Sequence, residues 1–156
     1  MLSPEQVATI LDGEGTITSV VQPNGLPYPR VSLGMTSPEY PEALCEQFGG
    51  SVNWRKHKNP GHKPLRRWEL CGWACKYVLE YCVRDLKVKK PQAEGILIMC
   101  STQQARGGNR AYEKLSERDF LLRWKLHEVI RELNKRGQRN SVDSTIARME
   151  VENTHA

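Results

Sequence analysis

The chain has 156 residues, enough for one domain with a real core. No apolar run approaches the roughly 18 residues needed to cross a membrane, and the formal net charge of +5 favours a polyanionic partner. Cys45, Cys71, Cys75, Cys82 and Cys100 are odd in number and lack a framework spacing, and the N-terminus has no basic region followed by an apolar one. Reduced thiols, no signal peptide and an intracellular, non-secreted protein are therefore expected.

In chain order, Ser3-Pro4-Glu5-Gln6 is a helix start. Ser3 is the N-cap, Pro4 the first helical residue, and Gln6 reaches back to complete a capping box. The helix runs through Val7-Ala8-Thr9-Ile10-Leu11 into Asp12-Gly13-Glu14-Gly15. Carboxylates at that end oppose the helix dipole. Two acids there suggest a site that needs negative charge, such as a metal ligand; an ordinary core helix ending in a polar turn is the alternative. Thr9 and Gly13 share one face and are small enough to admit a second helix closely.

Thr16 to Gln22 reads as a strand, with Thr16, Thr18, Val20 and Gln22 on one face and Ile17, Ser19 and Val21 on the other. Pro23-Asn24-Gly25 is a turn, and residues 28 to 36 return as a second strand. Val31, Leu33 and Met35 face one way, and Arg30, Ser32 and Gly34 the other. Ser37 caps a helix from Pro38 to about Phe48, which Gly49-Gly50 ends. Residues 51 to 57 form a third strand, with Val52 and Trp54 inward and Ser51, Asn53, Arg55 and His57 outward. Residues 65 to 71 form a fourth, with Trp68 and Leu70 in the core, Arg66 a strand-end exception on that face, and Arg67 and Glu69 opposite.

Residues 73–83 and 91–100 read as helices. Ser116 caps a last helix whose stripe is Leu122, Leu126, Val129, Ile130 and Leu133, and Gly137 stops it. The expected organisation is one α+β domain over 1–137 and a polar tail over 138–156. Its αββαββα order implies a four-stranded antiparallel sheet with helices on one face.

The sheet's other face carries Thr16, Thr18, Gln22, Arg30, Ser32, Asn53, Arg55, His57, Arg67 and Glu69. Arginine can pair with guanine edges, asparagine and glutamine with adenine, and glutamate with cytosine, and a twisted ribbon fits the major groove. A solvated sheet face is the alternative. The window from Arg55 to Arg67 holds six Lys or Arg and no acid, and would neutralise phosphates. Cys71, Cys75 and Cys82 with His57 and His62 could form a zinc set, but the paired spacing of such sites is missing, and Cys75, Cys82 and Cys100 fit apolar helix positions.

Val7 to Gly15 resembles the LAGLIDADG motif of homing endonucleases. Ala8, Asp12 and Gly15 match it, the other positions are conservative, and Thr9 departs from the usual glycine. The segment Leu86 to Ala93 is similar to the lysine-rich entry of the family's next helix. The resemblance covers about residues 3–133 and implies a sequence-specific double-strand endonuclease leaving 3′ overhangs. One motif copy implies a homodimer, joined at Ala8, Thr9, Asp12 and Gly13, on a long pseudo-palindromic DNA target held by the saddle-shaped sheet. By the same resemblance, Glu14 and the Gly13 carbonyl would hold Mg²⁺ (or Mn²⁺), with no organic cofactor. Lys89, with Lys87 as alternative, would act at the scissile phosphate, and Ser37 would touch the metal's water network. Asp12 is expected to be a structural acid at the helix end. A non-cleaving nucleic-acid binder on the same fold, such as an intron maturase or a transcriptional regulator, is the alternative function.

Overall fold

The computed structural model describes residues 1–103 and 115–135. A polar loop expected from the sequence over 103–109 lies outside them beyond Gln103, as do the Gly137 stop and the 138–156 tail. The first helix, α1 (Pro4–Glu14), starts as its sequence dictates. Ser3 Oγ accepts from the Gln6 amide at 3.2 Å, and the Gln6 side chain accepts from the Ser3 amide at 2.9 Å. Val7, Ala8 and Leu11 form its buried face. Strand β1 (Gly15–Val21) follows without a loop, and β2 (Pro27–Met35) returns beside it, pairing Gly15 with Leu33 and Val21 with Pro27.

Ser37 does not cap the next helix, because α2 (Glu39–Phe48) begins later, with Pro38 at the cap and no side-chain bond there. The Ser37 hydroxyl instead donates to the Glu39 carboxylate. Gly49 and Gly50 end α2 with φ of 82° and 94°, a region open to glycine and strained for other residues.

Strands β3 (Ser51–Arg55) and β4 (Leu65–Cys71) complete one antiparallel sheet in the order β1-β2-β4-β3. Trp68 on β4 is the largest fully buried side chain, and its indole N–H donates to the Gly49 carbonyl at 2.8 Å. Two expectations for β3 are corrected. The strand stops at Arg55, so His57 lies in the following loop, stacked on His62 at 4.3 Å. Trp54 is 55% exposed, because it sits on the edge strand near the hairpin end, where Arg66 covers its ring at 5.2 Å. Arg66 also meets Glu42 of α2 at 3.3 Å, which explains a cation on the core side of β4.

A 3₁₀ turn (Gly72–Ala74) precedes α3 (Cys75–Cys82), where the sequence suggested one helix from 73 to 83. Helices α4 (Lys90–Ser101) and α5 (Glu117–Leu133) follow, the latter with the expected Ser116 cap on the Asp119 amide. Helices α1, α3, α4 and α5 pack on β1 and β2, and α2 packs on β2, β3 and β4, so one sheet face is covered and the other open.

The buried line of α5 is Arg123, His127 and Ile130, not the expected leucine stripe, whose Leu122, Leu126, Val129 and Leu133 are half-buried. Arg123 is accepted inside because Thr102 takes its guanidinium through Oγ1 at 2.7 Å and the carbonyl at 3.0 Å, and Trp73 lies under its plane. His127 Nδ1 meets Ser19 Oγ of β1 at 2.6 Å. Asn134, just past α5, donates to the Ile17 carbonyl at 2.9 Å and accepts from Gln92 at 3.2 Å. Pairing lowers the cost of burying these groups, although Gln92 Oε1 is buried without a partner among the described residues, and the bonds tie α4 and α5 to the first strand.

Candidate nuclease site and nucleic-acid interface

Two regions carry chemistry: the C-terminal end of α1 and the open face of the sheet. At the helix end, Asp12, Gly13 and Glu14 occupy the last turn. The Asp12 carboxylate accepts three backbone amides, from Lys87 at 2.8 Å, Val88 at 3.2 Å and Lys89 at 2.9 Å. Those amides lead into α4, and Lys89 is its N-cap residue. An acid disfavoured by its own helix is thus stabilised by the positive start of another. The Asp12 carboxylate thereby ties the end of α1 to the segment that leads into α4.

The Lys89 side chain crosses the same gap in the other direction. Its Nζ donates to the carbonyls of Leu11 at 2.7 Å, Asp12 at 3.0 Å and Gly15 at 2.6 Å. The Asp12 carbonyl is among those that a helix end leaves without an intrahelical partner, whereas the Leu11 carbonyl also accepts the Gly15 amide. Burial pushes the Lys89 ammonium below its usual value, while the charges of Asp12 and Glu14 pull it back up. Lys87, the alternative, is exposed.

Glu14 is exposed and makes no hydrogen bond or ion pair among the described residues. The Gly13 carbonyl is not among the acceptors Lys89 uses. A carboxylate and a carbonyl are hard oxygen donors of the kind Mg²⁺ takes. One chain supplies only part of such a set: among the described residues, no three of His, Cys, Asp or Glu come together as a metal site.

The pairing of Gly15 with Leu33 places the exit of β2, and Thr36-Ser37 after it, at the Glu14 end of the sheet. Ser37 therefore lies towards the Glu14 end of the sheet, and its hydroxyl is engaged by Glu39. On α1, Thr9 and Gly13 are exposed, while Ala8 is 1% exposed and belongs to the chain's own core rather than to an outer face.

On the open face, register aligns the expected residues in rows. Thr16 lies opposite Ser32, Ser32 opposite Glu69, and Glu69 opposite Ser51; Thr18 lies opposite Arg30, and Arg67 opposite Asn53. Ser32 occupies this face but is only 6% exposed, because its neighbours on β1 and β4 cover it. Gln22 falls just past β1, in the turn, where its amide donates to the Leu26 carbonyl. Ser51, Asn53, Arg55, Arg67 and Glu69 line a shallow polar cleft, and Arg67 meets Glu69 at 3.2 Å. Ser51, already read as outward on its strand, and Cys71 were left out of the expected DNA-contacting set. Both are exposed on this face, and the period-two alternation that selected Asn53 and Glu69 also selects them.

Among the described residues, the cysteines and histidines form no cluster of three that could hold a metal. All five cysteines are free, with Cys75, Cys82 and Cys100 in the core, where burial pushes their thiols up to about 12, 12 and 11. Such thiols are poor nucleophiles and metal ligands.

The fold is that of the LAGLIDADG homing endonucleases. Among solved structures, the chain is similar to the archaeal intron-encoded homing endonuclease I-Vdi141I complexed with DNA, at 15% identity and a TM-score of 0.63, covering 97% of this chain and 96% of that one. It is similar to the homing endonuclease I-CvuI in complex with its target in the presence of Ca, at 13% identity and a TM-score of 0.63, covering 92% and 90%. Against I-GzeII, a LAGLIDADG homing endonuclease in complex with its DNA target, the TM-score is 0.58 at 15% identity, and 84% of this chain covers 44% of that one. At these identities the likeness is one of fold. No protein-family model matches the sequence, and no curated protein matches it. No helix among the described residues is long and apolar enough to cross a membrane.

Proposed function

We propose that the protein is a site-specific DNA endonuclease of the single-motif LAGLIDADG type, acting as a homodimer on a long pseudo-palindromic target. The observation that carries this reading is the exposed Glu14 carboxylate beside the Lys89 ammonium at the end of α1, on a chain with this fold. Two further facts support the dimer. Thr9 and Gly13 leave an outer face of α1 bare, and the chain matches I-GzeII over less than half of that longer protein.

In this mechanism the open sheet face takes the major groove. The cleft residues Asn53, Arg55, Arg67 and Glu69 read base edges, and the basic hairpin after β3 holds phosphates. Two copies meet through α1, which brings both Glu14 carboxylates and both Gly13 carbonyls to the centre. There they would hold divalent cations, Mg²⁺ or Mn²⁺, which supply Lewis-acid stabilisation and an acidified water. Lys89 fixes positive charge at the same place, where negative charge grows as the phosphodiester is attacked. Two sites beside each other cut opposite strands and leave 3′ overhangs.

The test is Glu14→Gln. Metal-dependent cleavage of a randomised DNA library is expected to disappear, while sequence-selective binding persists. Retained cleavage removes Glu14 from the site. Selective binding by the unsubstituted protein without cutting at any divalent metal tested would favour a non-cleaving nucleic-acid binder instead.

A further inference from the structure

We infer that Asp12 is a positioning residue, setting the Lys89 ammonium and, through it, the reacting end of α1; its effect on cleavage rests on the endonuclease reading above. The geometry is a closed circuit. The Asp12 side chain holds the backbone amides of Lys87, Val88 and Lys89, and the Lys89 side chain returns to the backbone carbonyls of Leu11, Asp12 and Gly15. Each strut anchors the other.

The circuit explains how a lysine comes to be fixed. A lysine side chain is among the most mobile in proteins, and it carries three N–H donors. Here the carboxylate pins its backbone, and three carbonyls between 2.6 and 3.0 Å take its donors. Those carbonyls flank Glu14 in the chain, so one clasp fixes the ammonium, the last turn of α1 and the start of β1. The helix end holds an acid that α1 alone would disfavour because α4 needs it.

Both carboxylate oxygens are used. Oδ2 takes the Lys87 amide, and Oδ1 takes those of Val88 and Lys89. In Asp12→Asn one oxygen becomes an NH₂ group, so whichever way the amide is turned, a donor faces a donor and half of the clasp opens. The shape is kept, and only the hold on Lys87–Lys89 is lost.

The first measurement uses the DNA-free protein. In Asp12→Asn, hydrogen exchange at the 87–89 amides is expected to quicken, with sheet amides unchanged. The second is single-turnover cleavage of the target with Mg²⁺, beside binding measured with Ca²⁺. The rate is expected to fall about 10- to 100-fold, the range for outer groups that orient active residues, with affinity little changed. The third combines Asp12→Asn with Lys89→Met: the double variant should be no slower than Lys89→Met alone. Multiplying effects, equal losses of rate and affinity, or unchanged exchange at 87–89 would each overturn the proposal. If Asp12→Asn does not fold, Asp12→Ser, which keeps one acceptor oxygen, is read by the same measurements. Absence of cleavage by the unsubstituted protein overturns the endonuclease reading, whereas the exchange measurement still decides the clasp.

Discussion

Gly15 is the joint between α1 and β1, and replacing it with alanine tests how tightly that joint is built. Its φ of −79° and ψ of 165° are open to any residue, so backbone strain is not the issue. The issue is space. An added Cβ would lie 2.7 Å from Leu11 Cδ2, 2.8 Å from Leu11 Cα and 2.9 Å from Leu11 O. The methyl can rotate away, but the Cα and carbonyl cannot. Ordinary contact begins near 3.4 Å, so β1 must move from the last turn of α1 by about 0.6 Å. Overpacking of this kind costs about 1–3 kcal/mol, and the stiffer unfolded chain returns about 0.4–1 kcal/mol. A net loss of about 1–2 kcal/mol lowers the melting temperature by about 2–8 °C in a domain of this size. The same displacement moves the Gly15 carbonyl, which Lys89 holds at 2.6 Å, and the adjacent Glu14. Misplacement of about 1 Å at a reacting centre can cost about 100-fold, so single-turnover cleavage at 25 °C, where Gly15→Ala remains folded, should fall at least tenfold. Thermal melts and cleavage time courses on one preparation read both effects. A melting temperature that stays level or rises would refute the close approach, and a full cleavage rate would refute its link to the site.

Gly13→Ala should behave in the opposite way. Nothing lies within 4 Å of the added Cβ, so the better helix former should stabilise the isolated chain by about 1 kcal/mol in denaturant titrations, while sedimentation shows weakened dimers if that face meets its copy. His127, 7% exposed, is held below the usual imidazole value of 6.5 by burial first and by Arg131 second, with Glu128 opposing. The unfolded chain therefore binds the proton more readily. Stability holds above pH 6.5 and falls as the pH drops through 6.5 towards the lowered folded value, and His127→Gln should flatten that part of a melting-temperature profile. A thiol reagent near pH 8, about the usual cysteine value, should label Cys45 and Cys71 in the folded protein and all five cysteines only after unfolding; fast labelling of Cys82 would contradict its burial.

Local signals carried much of this fold. The Ser3–Gln6 capping box, the Pro23–Gly25 turn and the strand from Leu65 to Cys71 need only neighbouring residues, and all three stand as the sequence implied. The errors arose where distant partners decide. Arg123 and His127 look like solvent residues until Thr102, Trp73 and Ser19 are brought to them across the fold. Trp54 looks like a core residue until the sheet order places β3 at an edge. Ser37 before Pro38 has the chemistry of a cap, yet it spends its hydroxyl on Glu39. At the candidate site, the motif at Val7–Gly15 pointed to Glu14, and the resemblance of Leu86–Ala93 pointed to Lys89, with Lys87 as alternative. The three carbonyls and three amides that join Lys89 to Asp12 link residues more than 70 positions apart, and no spacing rule encodes them.

The order β1-β2-β4-β3 also bears on how such a protein could change its target. In a pair joined through α1, β1 is bound to the shared axis, while β3 and its basic hairpin lie farthest from it. Substitutions at Asn53, Arg55 or the hairpin would then alter the outermost base pairs without disturbing the joint at Gly15 or the clasp at Asp12. On the endonuclease reading proposed above, a lineage following a drifting target could rewrite its recognition from the rim inwards, each step testing a new sequence while the proposed cutting centre stays intact.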